Sequence, residues 1–336
     1  MRLCVAQAIR SALAMAPSIK ALPKIMQNRR QFLIGTTAAA TSLILPRLGF
    51  AQQNHARIIL LGTKGGPTLT TKTGRANPAT LILINDVPYL IDCGYGVSRQ
   101  LIAARIALNR LRYVFITHRH SDHDLEYGTL LYNAWATART IAIDIYGPAG
   151  LRRQTQDFFA YEKFDIDTRI ADEGVSDPRK LIKVHELSRP GLVMQNSDAK
   201  VTSLRVRHPP ITQSYAYRFD AKDRAIVISG DTAYAPELAN FARGADVLIH
   251  EAMYLPAIEN LIRQNPASTR LREHLMAAHT STDDVGKIAA QAGVKTLVLT
   301  HFVPGDDPSI TDEQWTEGVR KYFNGKIIVG KDLMEI

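Results

Sequence analysis

Eight consecutive residues, Thr117-His118-Arg119-His120-Ser121-Asp122-His123-Asp124, hold three histidines and two aspartates. Imidazole nitrogen and carboxylate oxygen are the donors that grip Zn²⁺ at ~2.0–2.2 Å. In an extended backbone alternate side chains share a side, so His118 and His120 point together, while Asp122 and His123 reach a neighbouring point. A merely solvated loop has no use for three imidazoles so close together. The chemistry this cluster offers is metal binding, with hydrolysis as its commonest use.

The elements that must position such a cluster are legible around it. Tyr113-Val114-Phe115-Ile116-Thr117 is a β-rich run that ends at His118, and Ala225-Ile226-Val227-Ile228-Ser229-Gly230 ends at Asp231. Val247-Leu248-Ile249 ends at His250-Glu251, and Thr296-Leu297-Val298-Leu299-Thr300 ends at His301. In α/β proteins ligands bind beyond the carboxyl ends of strands, and here four strands each deliver a metal-capable residue to that edge. Earlier, Thr80 to Ile84 and Tyr89 to Asp92 flank an Asn85-Asp86 turn and predict a hairpin, which argues against a purely parallel sheet. Ser281-Thr282-Asp283-Asp284 opens a helix carrying Val285, Ile288, Ala289 and Ala292 on one face, and Gly293 stops it. Strands alternating with helices make the class α/β.

The H-x-H-x-D-H spacing of residues 118–123, with the segments around it, resembles the metallo-β-lactamase superfamily over essentially all of residues 56–336. The resemblance implies an α/β four-layer αβ/βα sandwich of two mixed β-sheets flanked by helices, with the metals at one edge. It also implies that His118, His120 and His208 hold one metal, that Asp122, His123 and His301 hold a second, and that Asp231 bridges both. Asp92, in Asp92-Cys93-Gly94, matches a turn whose aspartate supports the ligands. Two Zn²⁺ ions are the expected cofactors, with Mn²⁺ or Fe²⁺ also compatible, and they would supply a bridging hydroxide near neutral pH. The candidate catalytic residues are Asp122, at the metals, and His279, in Ala278-His279-Thr280-Ser281, where the resemblance implies assistance to the leaving group. The same resemblance gives His250 and Glu251 a supporting place. His55, His185 and His274 have no motif around them and are expected at the surface or in structural roles. Cys93 reads as a small buried residue. Tyr234 either polarises a substrate carbonyl or packs at a helix start.

The N-terminus has a different character. Residues 1–51 contain seven Lys and Arg and no Asp or Glu. Asn28-Arg29-Arg30-Gln31-Phe32-Leu33-Ile34 resembles a twin-arginine export signal, followed by a charge-free run from Phe32 to Leu45 and small residues at Gly49 and Ala51. The start is Met1 with a long leading segment, or Met26. Either way, residues 1–51 are expected to be removed by a signal peptidase, leaving a single catalytic domain over 52–336 in the periplasm. The whole chain of 336 residues carries a formal +9, from 41 Lys+Arg against 32 Asp+Glu. Setting the first 51 residues aside leaves 34 basic against 32 acidic, close to balance.

Ser229-Gly230-Asp231-Thr232, His250-Glu251-Ala252, His279-Thr280-Ser281 and Leu299-Thr300-His301-Phe302 together resemble the arylsulfatase and tRNase Z-like branch, which with the N-terminal signal implies an exported metal-dependent hydrolase. The bridging Asp231 argues against β-lactam hydrolysis. Only 57 residues separate Gly147-Pro148-Ala149-Gly150 from His208, without the Gly- and basic-rich arm of tRNA-processing relatives. The expected substrate is therefore a small anionic ester, a sulfate ester or phosphodiester. The expected partners are that small molecule and the twin-arginine export machinery, with no stable nucleic-acid or membrane partner; a homodimer is compatible. A lactone or carboxylic ester hydrolase, resting on Tyr234, is the alternative, and a tRNA 3′-processing endonuclease or an iron oxidoreductase on the same fold stands behind it. Specificity is expected in the loops around Thr63 to Gly66, Trp135 and a long surface excursion over residues 171–200.

Overall fold

The computed structural model describes residues 56–336. The export signal expected over residues 1–51, and His55, lie outside the described residues. Fourteen strands occur among the described residues. They are β1 (Arg57–Gly62), β2 (Ala79–Ile84), β3 (Val87–Ile91), β4 (Tyr113–Phe115), β5 (Ile143–Gly147), β6 (Ile182–Glu186) and β7 (Gly191–Gln195). They continue with β8 (Ala199–His208), β9 (Ile211–Ala221), β10 (Ala225–Ile228), β11 (Val247–Met253), β12 (Thr296–Val303), β13 (Lys326–Val329) and β14 (Met334–Glu335).

The strands form two mixed sheets of seven, ordered β14-β1-β2-β3-β4-β5-β6 and β13-β12-β11-β10-β9-β8-β7. In each, one half is antiparallel and the other parallel, as the hairpin signals required. The β2–β3 hairpin closes over Asn85 and Asp86, both at positive φ (50° and 59°), the backbone a two-residue turn needs.

Strand alternation sorts the layers. In β1, Ile58 and Leu60 face the opposite sheet, packing with Ile82, Phe115, Tyr217, Phe219 and Ile249, while Ile59 and Leu61 face helices Val97–Ala103 and Tyr127–Ala136. Helices Pro236–Phe241, Thr282–Ala292 and Asp312–Arg320 cover the outer face of the second sheet through Leu238, Val285, Ile288 and Trp315. The result is the expected four-layer sandwich. Each fully buried Leu or Ile in these layers contributes roughly 1.5–3 kcal/mol relative to exposure. The Ser281 side chain caps helix Thr282–Ala292 by accepting from the Asp284 amide, and Gly293 ends it at φ 64°, as its sequence foretold.

Three expectations are corrected. Residues 171–200 are not a free excursion: they contain the end of helix Lys163–Glu173 and the edge strands β6 and β7. Both edge strands are largely exposed and their apolar signals are short, Ile182 and Val184 set among polar residues in β6 and only Leu192 to Met194 in β7. Trp135 is not in a specificity loop; it is buried in helix Tyr127–Ala136, and its indole donates to the Ser176 carbonyl at 2.7 Å. Finally, β11 and β12 run past Ile249 and Thr300 to Met253 and Val303, because their parallel pairing resumes beyond a bulge.

The inter-sheet core also anchors the functional edge. Phe115 meets Phe219 edge-on at 5.2 Å between ring centres. Just beyond it, the Tyr217 hydroxyl donates to the Ile116 carbonyl at 2.9 Å and the Tyr215 amide to the Thr117 carbonyl at 3.0 Å. The segment leaving β4 toward His118 is thus fixed from both sheets.

Candidate metal centre

The turn after β3 sets the first position. Asp92 adopts φ 63°, a conformation aspartate tolerates better than most residues. Its Oδ1 accepts the Thr117 amide at 2.8 Å, and its Oδ2 accepts His123 Nδ1–H at 2.8 Å. With Nδ1 engaged, His123 presents the lone pair of Nε2 to the site. A Cβ on Gly94 would sit 2.2 Å from the Asp122 carbonyl, so only glycine lets this turn and the ligand loop approach so closely. On the other sheet, His301 at φ 44° is the extra residue of the β11–β12 bulge: Glu251 pairs with Thr300 and Ala252 with Phe302, which turns its ring to the edge.

All seven residues expected as metal ligands come together at this edge, in two groups that share Asp231. In the first, His120 Nδ1 lies 3.1 Å from His118 Nε2 and 2.9 Å from His208 Nε2, and Asp231 Oδ2 stands 3.7 and 3.9 Å from those two Nε2 atoms. His208 Nδ1–H donates to the Ala278 carbonyl at 2.9 Å, which leaves its Nε2 a lone pair. One proton on His120 serves only one of its neighbours; a cation serves all three rings. In the second group, Asp231 Oδ1 is 3.3 Å from His123 Nε2 and Oδ2 is 3.0 Å from His301 Nε2. Asp122 Oδ2 is 3.7 Å from His123 Nε2 and 3.4 Å from His301 Nε2.

Two observations show that these residues fit divalent cations. First, His123 Nε2, Asp231 Oδ1 and His301 Nε2 are buried without a hydrogen-bond partner, a costly state that a cation relieves. Second, the charges are asymmetric between the groups. Burial lowers the pKa of His118 and His120 and brings His208 to about 4, so all three are neutral imidazoles, the ligating form. Burial also disfavours the charged forms of His123 and His301, yet Asp231 with Asp92 or Asp122 outweighs it, raising His301 to about 10. Those protons neutralise buried carboxylates; bound cations do the same and displace them.

Asp92 therefore carries a prediction. Replacing Asp92 by Ala leaves His123 Nδ1 without its acceptor and should weaken metal affinity about 10–100-fold, read by competition with a chromophoric chelator.

Several contacts around the site emerge only in three dimensions. Glu251 is buried, accepts the Thr232 amide beside Asp231 at 2.5 Å, and accepts His279 Nδ1–H at 2.8 Å. Burial alone would lower the pKa of His279, but Glu251 raises it. Glu251, His279 and His301 form a third group of donors. The Gly66 amide donates to Asp122 Oδ2 at 2.8 Å. His274, expected at the surface or in a structural role, is half-buried at the rim, with its ring 5.7 Å from that of His279 and 6.1 Å from those of His120 and His208. Helix Leu271–Ala278, which ends at His279, brings it there.

Elsewhere, His185 pairs with Asp144 at 2.9 Å on an exposed edge. His250 is buried, with Nδ1 2.8 Å from the Glu251 carbonyl. Cys93 is buried. Tyr234 packs on the outer core beside Lys287, which removes the ground for the lactone reading.

A family model described as a beta-lactamase superfamily domain matches residues 88–302, well over half of the chain. The chain belongs to the metallo-β-lactamase superfamily. The ribonuclease Z of Mycobacterium sp. strain KMS is 32% identical over 281 residues, covering 83% of this chain and 95% of that protein. The ribonuclease Z of Mycobacterium bovis strain BCG Pasteur is 32% identical over 282 residues, covering 83% and 97%. Among solved structures, YhfI of Bacillus subtilis, a metallo-β-lactamase-fold protein, superposes with TM-score 0.62 at 21% identity, covering 84% and 98%. The short form of human tRNase Z superposes with TM-score 0.59 at 22% identity, covering 83% and 98%. As a superfamily member with these relatives the chain is a metal-dependent hydrolase, and the fold implies divalent metal ions.

The relatives overturn two expectations. An enzyme for small sulfate or other esters, without a nucleic-acid partner, does not agree with curated relatives named ribonuclease Z along almost their whole length. The reasoning behind it weighed net charge and a missing arm, and neither bears on the groups that do the chemistry. Net charge averages over the surface, while nucleic-acid recognition depends on local fields. The 57 residues before His208 are occupied instead by helices Leu151–Tyr161 and Lys163–Glu173, by β6 and β7, and by β8 up to its last residue.

Proposed function

We propose that this protein hydrolyses RNA phosphodiester bonds, and that its substrates are tRNA precursors cut at their 3′ ends. The observation that carries the reading is the 32% identity to ribonuclease Z over nearly the full length of that relative. The donor arrangement supports it. His118, His120 and His208 would hold one cation and Asp122, His123 and His301 a second, with Asp231 shared; we take zinc as the metal because the donors are imidazole and carboxylate. When bound, such cations supply Lewis acidity to a phosphoryl oxygen and to water.

The chain's own groups do the rest. Asp92 and the Ala278 carbonyl hold the rings of His123 and His208 with Nε2 facing inward. The Gly66 amide fixes Asp122. His279, with Nδ1–H held by Glu251, lines the adjoining pocket and keeps Nε2 to hold a proton for the leaving oxygen of the ribose.

The test is direct. Metal-loaded protein is incubated with a tRNA transcript bearing a 3′ trailer and with the same tRNA lacking it. A single cut near the end of the acceptor stem, confined to the first substrate, is the expected result. No cleavage of either RNA, by protein that hydrolyses a bis-aryl phosphodiester, would overturn the reading.

A further inference from the structure

A pocket of about 390 Å³ opens beside His279, between the segment Lys64 to Lys72 and the helices Leu255–Gln264 and Leu271–Ala278. Its size suits one small ligand or one residue of a large one. The chemistry described above makes no use of it.

The pocket is built rather than incidental. Its floor is braced by Lys64, only 2% exposed, whose ammonium donates to the carbonyls of Gly65 (3.2 Å) and Gly66 (3.0 Å) and to Thr68 Oγ1 (3.3 Å). All three protons go to the segment itself, so the lysine is a brace and not a free cation. Gly66 ties that floor to the catalytic edge, accepting Asn77 Nδ2–H at 2.7 Å while its amide holds Asp122. The wall is equally fixed: Leu261 and Leu271 pack against a small core of Met253, Ile258, Leu275 and Val303. At the mouth Lys72 Nζ donates to the Gln264 side-chain oxygen at 2.9 Å across exposed surface, a contact that exchanges partners at little cost.

Apolar walls with a polar rim match a flat heteroaromatic ring. Leu261 and Val303, on the apolar wall, can cover one face of it, while the Gln264 amide offers both a donor and an acceptor to its edge. A sulfate or a bare phosphate would leave those apolar walls wet. His279 lines this pocket and also belongs to a donor group with His301, so in the reading above a group seated here lies on the side of the leaving oxygen.

We propose that this pocket binds the base of the unpaired nucleoside that carries the leaving oxygen, and that Gln264 reads its edge. This rests on the RNA reading above. An unpaired base exposes the edge such an amide needs.

The experiment compares kcat/KM on four RNA substrates that differ only in that nucleotide, for the wild type, Gln264→Ala and Gln264→Trp, with a bis-aryl phosphodiester run alongside on the wild type. The wild type should favour one base about tenfold, and Gln264→Ala should flatten that preference. Gln264→Trp, which blocks the mouth, should raise KM on all four. Substitutions of the RNA at other positions should show no such dependence on residue 264. Equal ratios across the four bases in the wild type, or ratios unchanged by both variants, would overturn the pocket's role while leaving RNA cleavage intact. A wild type that hydrolyses the aryl diester but no RNA would overturn the RNA reading and the pocket with it.

Discussion

Replacing Asp231 by Asn is expected to lower kcat/KM by roughly 10³-fold or more, the upper scale for losing one fixed electrostatic element of a transition-state clamp. It should also remove metal from both donor groups together. Asp231 is the residue the two groups share, with Oδ1 3.3 Å from His123 Nε2 and Oδ2 3.0 Å from His301 Nε2 and 3.7 Å from His118 Nε2. Asparagine keeps the volume and loses the charge, and its amide would turn N–H donors toward cations. Elemental analysis after dialysis, beside steady-state kinetics and a melting curve, checks the prediction. A variant that loses metal from one group alone, or keeps full activity with both metals, would show that the two groups are independent. Asp231 is 2% exposed and surrounded by imidazoles, so the substitution also leaves His123 and His301 without the carboxylate that holds their protons. Added metal should therefore raise the melting temperature of the wild type and leave that of the variant nearly unchanged.

The candidate ligand residues were legible because metal chemistry restricts side-chain type and because the chain places most of them just past β-rich runs. Residues 118–123 carry the information locally, and Asp231 and His301 follow apolar runs of recognisable period. The hairpin at Asn85-Asp86 and the helix opened by Ser281 were legible for the same reason: their signals lie within a few residues. What sequence could not supply were contacts made across the fold. Glu251 meets His279 from 28 positions away, and the donor to Asp122 is a backbone amide, which has no sequence signature. The edge strands β6 and β7 hid because one face of each is wet. His274 lacked a motif, and only helix Leu271–Ala278 brings it to the rim.

The charge argument failed for a related reason. A balance of 34 against 32 after residue 51 is a property of composition, and beside the missing arm it weighed against RNA as a partner. Ordered neighbours such as Arg119, at 3.7 Å from Asp124 beside the metal centre, make local fields that a sum cannot report. Global charge bears on solubility and long-range attraction; it does not identify what a concave site accepts.

His279→Ala is expected to reduce kcat on RNA about 10²–10⁴-fold, the range for removing a positioned proton donor. The size should depend on the leaving group, which separates proton donation from simple disruption. Ribose oxygen is a poor leaving group and needs a proton as the bond breaks; nitrophenolate leaves without one. The same variant should therefore lose far less activity on bis(nitrophenyl) phosphate than on RNA, with metal content unchanged because His279 lies outside the two groups that share Asp231. Equal losses on both substrates would point to a collapsed site instead. Glu251→Gln supplies the intermediate case. It removes the carboxylate that holds His279 Nδ1–H at 2.8 Å, but a side-chain oxygen remains to accept. The ring stays oriented while losing the charge that favours its protonated form, so the loss on RNA should be smaller, about 10–100-fold. If Glu251→Gln equals His279→Ala on RNA and both spare the nitrophenyl ester, the carboxylate's charge is what makes the histidine a donor. If Glu251→Gln is silent, orientation alone suffices, and the Glu251 carboxylate matters for the Thr232 amide it also accepts, which holds the backbone next to Asp231.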